Sequence, residues 1–174
     1  PTFTGPVVPV QILQPNIDQY RKWDVTSVDQ ILSGFDDLLS APSVNRAQLV
    51  VWPETSIPRW VPRGEAVPEA AKWAKKSAAS HLVGIIARPE FESGPTNGVQ
   101  LVGGSGEISG FYAKRQLVPF GEYVPLRSFV PRFVIDRWLG VLDQLGDMTP
   151  GPQAPELLTT AFGPTAVTIC YEAM

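Results

Sequence analysis

Three apolar strand-like runs end in groups that can do chemistry: Trp52-Pro53-Glu54-Thr55, Tyr112-Ala113-Lys114-Arg115 and Ile169-Cys170-Tyr171-Glu172. A carboxylate, an amine and a thiol at such ends can converge on one edge of a sheet. A thiol is a modest nucleophile until a nearby cation or base promotes its ionisation. A carboxylate in a dehydrated pocket can take the thiol proton, because burial favours its neutral form. An ammonium beside the reacting carbonyl stabilises the oxyanion of a tetrahedral intermediate. None of this needs a histidine. Each residue also has an ordinary explanation: Cys170 as a small buried hydrophobe, Glu54 as a helix-start or surface carboxylate, Lys114 as a solvated strand end. Only their conjunction singles them out.

The elements that would position them can be read from periodicity. Pro9 to Gln14, after Val7-Val8, reads as a mostly apolar and therefore central strand, ended by Pro15-Asn16. Val28, Ile31, Phe35 and Leu38 lie on one face of a helix over Val25–Ser40. Gln48–Trp52 is a second strand, and Glu54 falls just past its C-terminal end, where sites collect in α/β sheets. Residues 56–66 form a Pro-punctuated loop with an exposed Trp60. Pro68–Ser80 is helical, with proline suited to the first turn. His81–Ala87 is a strand, Thr96–Val102 and Glu107–Ala113 a hairpin around Gly103-Gly104-Ser105-Gly106, and Thr165–Cys170 a last strand. The order indicates an α/β layered domain.

Composition narrows the classes. The 174 residues suffice for one domain. With 44% hydrophobic and 18% charged residues the chain is globular rather than disordered. A net charge of −3 argues against nucleic acid as a partner. With one cysteine and one histidine, His81, no intramolecular disulfide can form and a His/Cys metal site is not expected. No cofactor is called for. No apolar run reaches the length of a membrane span. The chain starts at Pro1 without a Met, so an excised segment is expected; it stops four residues after Cys170, so either the ordered or expressed part stops early or the domain continues beyond Met174.

Glu54, Lys114 and Cys170 occur in the order and contexts of the Glu-Lys-Cys triad of the nitrilase superfamily. The run Leu117-Val118-Pro119-Phe120-Gly121-Glu122-Tyr123-Val124-Pro125 resembles the signature of bacterial apolipoprotein N-acyltransferases, as do Trp52-Pro53-Glu54, Lys22-Trp23-Asp24 and Ile169-Cys170-Tyr171-Glu172. The resemblance spans about residues 11–174. It implies a nitrilase-type four-layer αββα sandwich, an α/β fold, of which residues 1–174 are a single domain lacking its second part. It implies Glu54 as general base, Lys114 as oxyanion stabiliser, Cys170 as nucleophile and Glu122 as a second active-site carboxylate. Trp23, Tyr171 and Glu172 match positions that the family needs around the site. Without the resemblance, Trp23 and Tyr171 read as packing, and Glu122 and Glu172 as solvated charges.

The implied reaction moves an acyl chain from a phospholipid onto Cys170 and then to the α-amine of an apolipoprotein's diacylglyceryl-cysteine. The implied location is the periplasmic face of a bacterial inner membrane, with anchoring helices outside this chain. Residues 126–148 interleave apolar and aromatic side chains with Arg127, Arg132 and Arg137, which suits a membrane-interface segment as well as an amphipathic helix packed on a core. Phe129, Phe133 and Trp138 are its expected lipid-facing residues. Three other readings compete: a soluble amidase or carbamoylase with the same triad and water as acceptor, a scaffold domain with a buried structural cysteine, and a Cys-His hydrolase using His81.

Overall fold

The computed structural model describes residues 5, 7–18, 21–88, 94–129, 131, 146–154 and 156–173, and of Trp23, Val25 and Asn45 the backbone only. Phe133, Trp138 and most of the 126–148 segment lie outside the described residues, as does the Trp23 side chain.

The centre is a six-stranded mixed sheet. In chain order its strands are β1 (Val10–Ile12), β2 (Leu49–Val51), β3 (Trp60–Val61), β4 (Ser80–Ala87), β5 (Thr96–Val102) and β6 (Ile108–Ala113), arranged β1-β2-β4-β5-β6 with β3 also paired to β4. The β1–β2, β2–β4 and β3–β4 pairs are parallel; β4–β5 and β5–β6 are antiparallel. So β2, β4 and β6 all point one way. Their C-terminal ends, and the start of β5, share one edge of the sheet.

Strand alternation sends Val50 and Val83 to one face and Leu49, Leu82 and Leu101 to the other. The first face is covered by α1 (Val28–Leu39) and α2 (Pro68–Ser77). Ile31, Phe35 and Leu39 of α1 are buried, with the Phe35 ring 4.8 Å from that of Trp52. From α2, Ala70, Trp73 and Ala74 are buried. Buried Gln100 ties the loop into α2 to the sheet, accepting from the Val67 N–H and donating to the Glu65 carbonyl. The second face is covered by a hairpin of β7 (Leu158–Thr160) and β8 (Gly163–Thr165), with Leu158 and Ile169 packed on Leu49, Leu82, Leu101 and Tyr112. This is an α/β layering of helices, mixed sheet and a small second sheet.

Four details depart from expectation. First, β1 is an edge strand, and its Ile12 is 69% exposed; an apolar run is ambiguous between a buried centre and an uncovered edge. Second, Trp60 is half-buried and begins β3 rather than sitting in an exposed loop. Third, the expected strand over Thr165–Cys170 is absent. Thr165 ends β8, Ala166–Ile169 run without ladder pairing, and the chain enters a 3-10 turn at Cys170–Ala173. Fourth, the helices are shorter than their periodicity: Val25–Ser27 is a 3-10 turn capped by Asp24, and α2 stops at Ser77 before Ala78, which has φ 57°.

Candidate active site

Glu54 sits where the chain leaves the sheet. Between β2 and β3 the strand partner of β4 is interrupted, and Pro53–Ile57 bulges away before rejoining at Trp60. Both Ser56 groups anchor this bulge, the N–H and the hydroxyl donating to the Gly84 carbonyl at 2.8 Å. Gly84 permits the approach: a Cβ there would lie 2.3 Å from the Pro53 oxygen and 2.8 Å from Glu54 Cα. Thr55, just after Glu54, has φ 48°, in the left-handed region that strains a β-branched residue. Lys22 Nζ donates to the Glu54 carbonyl at 2.8 Å. Burial pushes the Lys22 ammonium below its ordinary pKa, and the Glu54 charge opposes that shift.

Lys114 follows β6 directly, and its N–H donates to the Asn97 carbonyl at 2.8 Å. Its side chain is 1% exposed. The ammonium lies 3.0 Å from both Glu122 oxygens and 3.7 Å from Glu54 Oε1. An unpaired ammonium this deeply buried would be costly, and these two carboxylates are its partners. Glu122 is buried too, and its Oε2 accepts from the Val118 N–H at 2.9 Å. The turn that presents it is closed by the Gly121 and Glu122 N–H groups donating to the Val118 carbonyl. The nine-residue run thus folds a carboxylate back onto the lysine.

Asn97 completes the cluster. Its Nδ2 donates to Glu54 Oε1 at 2.7 Å and to Glu122 Oε1 at 2.9 Å. Sequence reasoning missed it. Its only signal was its place, one residue into the strand that starts at the edge where the other groups end.

Cys170 is exposed and has φ 51°, at the first residue of its 3-10 turn. Glu172 fixes that turn. It accepts from the N–H groups of Ile169 (2.9 Å), Arg115 (2.7 Å) and Gln116 (3.2 Å), and from the Tyr112 hydroxyl at 2.9 Å. Partial burial works against its charge, but these donors together hold its carboxyl below the ordinary range. Burial, then Glu172, pushes the Tyr112 phenol up to about 12. Through Glu172 the cysteine turn is tied to the chain that continues from Lys114. Neither Glu122 nor Glu172 is a solvated surface charge. Tyr171 is 47% exposed.

Cys170 and Glu54 line one cleft of about 210 Å³, with Trp52, Gly84, Asn97 and Ile169. Lys114 meets it through Glu54. A thiol, a carboxylate and an ammonium in this relation can run acyl transfer: attack, proton removal and charge stabilisation. Cys170 is exposed among the described residues, which counts against the buried structural thiol of the scaffold reading. His81 is wholly buried and accepts from Trp52 Nε1 at 3.0 Å, and burial pushes its imidazole down to about 4. It is a core residue, which counts against a Cys-His pair. Among the described residues no group of acidic, histidine or cysteine side chains is arranged to hold a metal. Of the expected lipid-facing residues, Phe129 is 81% exposed, in a 3-10 turn (Arg127–Phe129) that follows exposed Leu126. Arg127 pairs with Asp147 at 2.7 Å, closing the base of this segment.

The sequence profile of the carbon-nitrogen hydrolase family matches residues 10–174. The chain is 30% identical over 172 residues to the apolipoprotein N-acyltransferase of Pseudomonas syringae pv. tomato, covering 98% of this chain and 33% of that protein. It is 33% identical over 174 residues to that of Pseudomonas paraeruginosa, covering 98% and 32%. The chain thus spans about a third of the length of these relatives. Among solved structures it is similar to a carbon-nitrogen hydrolase from Helicobacter pylori G27, with TM-score 0.57 and 16% identity, covering 94% of this chain and 51% of that one.

Proposed function

Because the chain belongs to the carbon-nitrogen hydrolase family, we propose that its cleft performs thioester-mediated acyl transfer, from a glycerophospholipid to the N-terminal amine of an apolipoprotein's diacylglyceryl-cysteine. The observation that carries this reading is the buried Lys114 ammonium, held between Glu54 and Glu122 beside the cleft that Glu54 shares with Cys170. Similarity to apolipoprotein N-acyltransferases along 98% of the chain supports the choice of donor and acceptor.

In the first half-reaction Glu54 takes the Cys170 proton as Sγ attacks the ester carbonyl. The negative charge that develops on the carbonyl oxygen is stabilised by the Lys114 ammonium. The tetrahedral intermediate collapses to a Cys170 thioester, and the lysophospholipid alkoxide leaves with the proton held by Glu54. In the second half the acceptor amine attacks the thioester, Glu54 removes a proton from it, and the proton returns to the departing Cys170 sulfur. The kinetics are ping-pong. Glu122 holds Lys114 in place, Glu172 holds the cysteine turn, and Trp23 and Tyr171 contact substrate. No cofactor or metal takes part.

The domain works at the periplasmic face of a bacterial inner membrane. Exposed Leu126 and Phe129 are in keeping with a segment, residues 126–148, that admits lipid through Phe129, Phe133 and Trp138. Among the described residues no helix is long and apolar enough to cross a membrane; anchoring is assigned to segments beyond this chain.

The test is intact mass of the full-length protein in detergent with phosphatidylethanolamine. The expected result is one acyl chain in thioester linkage on Cys170, forming far more slowly in Glu54→Gln and Lys114→Ala. A Cys170 that alkylates readily but never acylates would redirect the reading to an amidase using water as acceptor. A Cys170 inert to both would end it.

A further inference from the structure

We infer that Asn97 is the positioning residue for the base of this reaction: its amide spaces Glu54 and Glu122 apart and aims Glu54 into the cleft. The inference rests on the proposed roles of Glu54 and Cys170 and adds a residue to them.

Two carboxylates converge on one ammonium here: Lys114 is paired with both, while Lys22 reaches the backbone carbonyl of Glu54. Lys114 is committed to Glu122, with both oxygens at 3.0 Å, while Glu54 Oε1 stays at 3.7 Å, beyond hydrogen-bond length. What holds Glu54 is instead the Asn97 amide at 2.7 Å. One nitrogen carries two hydrogens, and they go to different carboxylates. The amide orientation follows from chemistry, since the flipped amide would set its oxygen against two acceptors.

The arrangement costs something, which argues that it is kept for what the nitrogen does. Asn97 is 3% exposed, and its Oδ1 has no hydrogen-bond partner among the described residues. Burying an amide oxygen without a donor is unfavourable. An apolar side chain would avoid that penalty but would bring two carboxylates together with no donor between them. An aspartate would add a third negative charge. A neutral group with two hydrogens on one atom suits the gap, and it leaves Glu54 Oε2 out of this contact, for the thiol.

The position is also rigid. Asn97 is paired with Ile86 in the β4–β5 ladder, and its carbonyl accepts the Lys114 N–H at 2.8 Å. The residue that aims the base and the residue that stabilises the oxyanion are therefore neighbours through one backbone hydrogen bond. A displacement of either is felt by both.

Single-turnover acylation of Cys170 by phosphatidylethanolamine, in the full-length protein and per folded molecule, tests this. Asn97→Ala is expected to lower the rate constant at saturating lipid roughly 100-fold, the usual cost of misplacing a reacting group, with half-saturating lipid unchanged. Isosteric Asn97→Asp, which keeps the shape and removes both donors, is expected to slow acylation as well. Because Asn97 acts through Glu54, Asn97→Ala added to Glu54→Gln is expected to slow acylation no further than Glu54→Gln does. A wild-type rate in Asn97→Ala, or effects that multiply in the double variant, would overturn the inference and leave the functional reading standing. Failure of the wild-type protein to acylate would sink the functional reading instead.

Discussion

Replacing Gly84 with alanine tests whether the position of Glu54 is set by the closeness of its loop to β4. The added Cβ would lie 2.3 Å from the Pro53 oxygen, 2.8 Å from Glu54 Cα and 2.9 Å from the Thr55 nitrogen. All three are backbone atoms, so no side chain can swing away. Non-bonded heavy atoms settle near ~3.5 Å, so the loop or the strand must give by roughly 1 Å. The loop is the weaker member, because β4 is paired on both sides. Such a shift exceeds what the 2.7 Å bond from Asn97 to Glu54 can absorb. Overpacking of this kind costs about 1–3 kcal/mol, and a 1 Å misplacement of a reacting group costs on the order of 100-fold in rate. The assay pairs denaturant unfolding with the rate of thioester formation on Cys170. Gly34→Ala is the control: it lies inside α1 with nothing within 4 Å of the added carbon, so it should gain about 0.5–1 kcal/mol and leave the rate alone. A Gly84→Ala protein with wild-type stability and rate would refute the reasoning.

Two further outcomes follow from the buried titrating groups. The His81 imidazole falls from 6.5 unfolded to about 4 folded because burial disfavours its charge; the unfolded chain therefore binds the extra proton first, and up to about 3 kcal/mol of stability is lost as pH falls from 6.5 toward 4. His81→Gln, which keeps an acceptor for Trp52, should flatten that part of the unfolding free-energy profile, and an unchanged slope would count against it. Glu172→Gln should bring the Tyr112 phenol, now at about 12, part of the way back toward 10, since burial remains and the carboxylate charge is gone. Phenolate absorbance, assigned by difference with Tyr112→Phe, reads this; no movement would mean that burial alone sets the value.

How far the sequence was legible differs from residue to residue. The helix over Val28–Leu39 and the strands Ser80–Ala87, Thr96–Val102 and Ile108–Ala113 were readable because apolar period and turn residues agree there. Val10–Ile12 was misplaced at the centre, since local pattern does not count the neighbours of a strand. Ala166–Ile169 alternates as a strand does, yet the hairpin before it ends at Thr165 and Glu172 after it takes the Ile169 N–H. The strand pairing of Trp60 came from β4, where its partner Ile86 lies 26 residues on.

The sequence by itself determined the chemical groups and their order: a carboxylate, an amine and a thiol, each after an apolar strand-like run, plus one histidine in a strand pattern that pointed to the core. Those follow from covalent neighbours and from period, which are local. Tertiary structure alone decided that Glu54 and Lys114 lie 3.7 Å apart across 60 residues of chain, that Glu122 turns inward, and that Glu172 ties down the cysteine turn. It alone found Asn97. The reason is physical: a hydrogen bond or ion pair between distant segments depends on which strand ends share a sheet edge, and no local pattern encodes that distance.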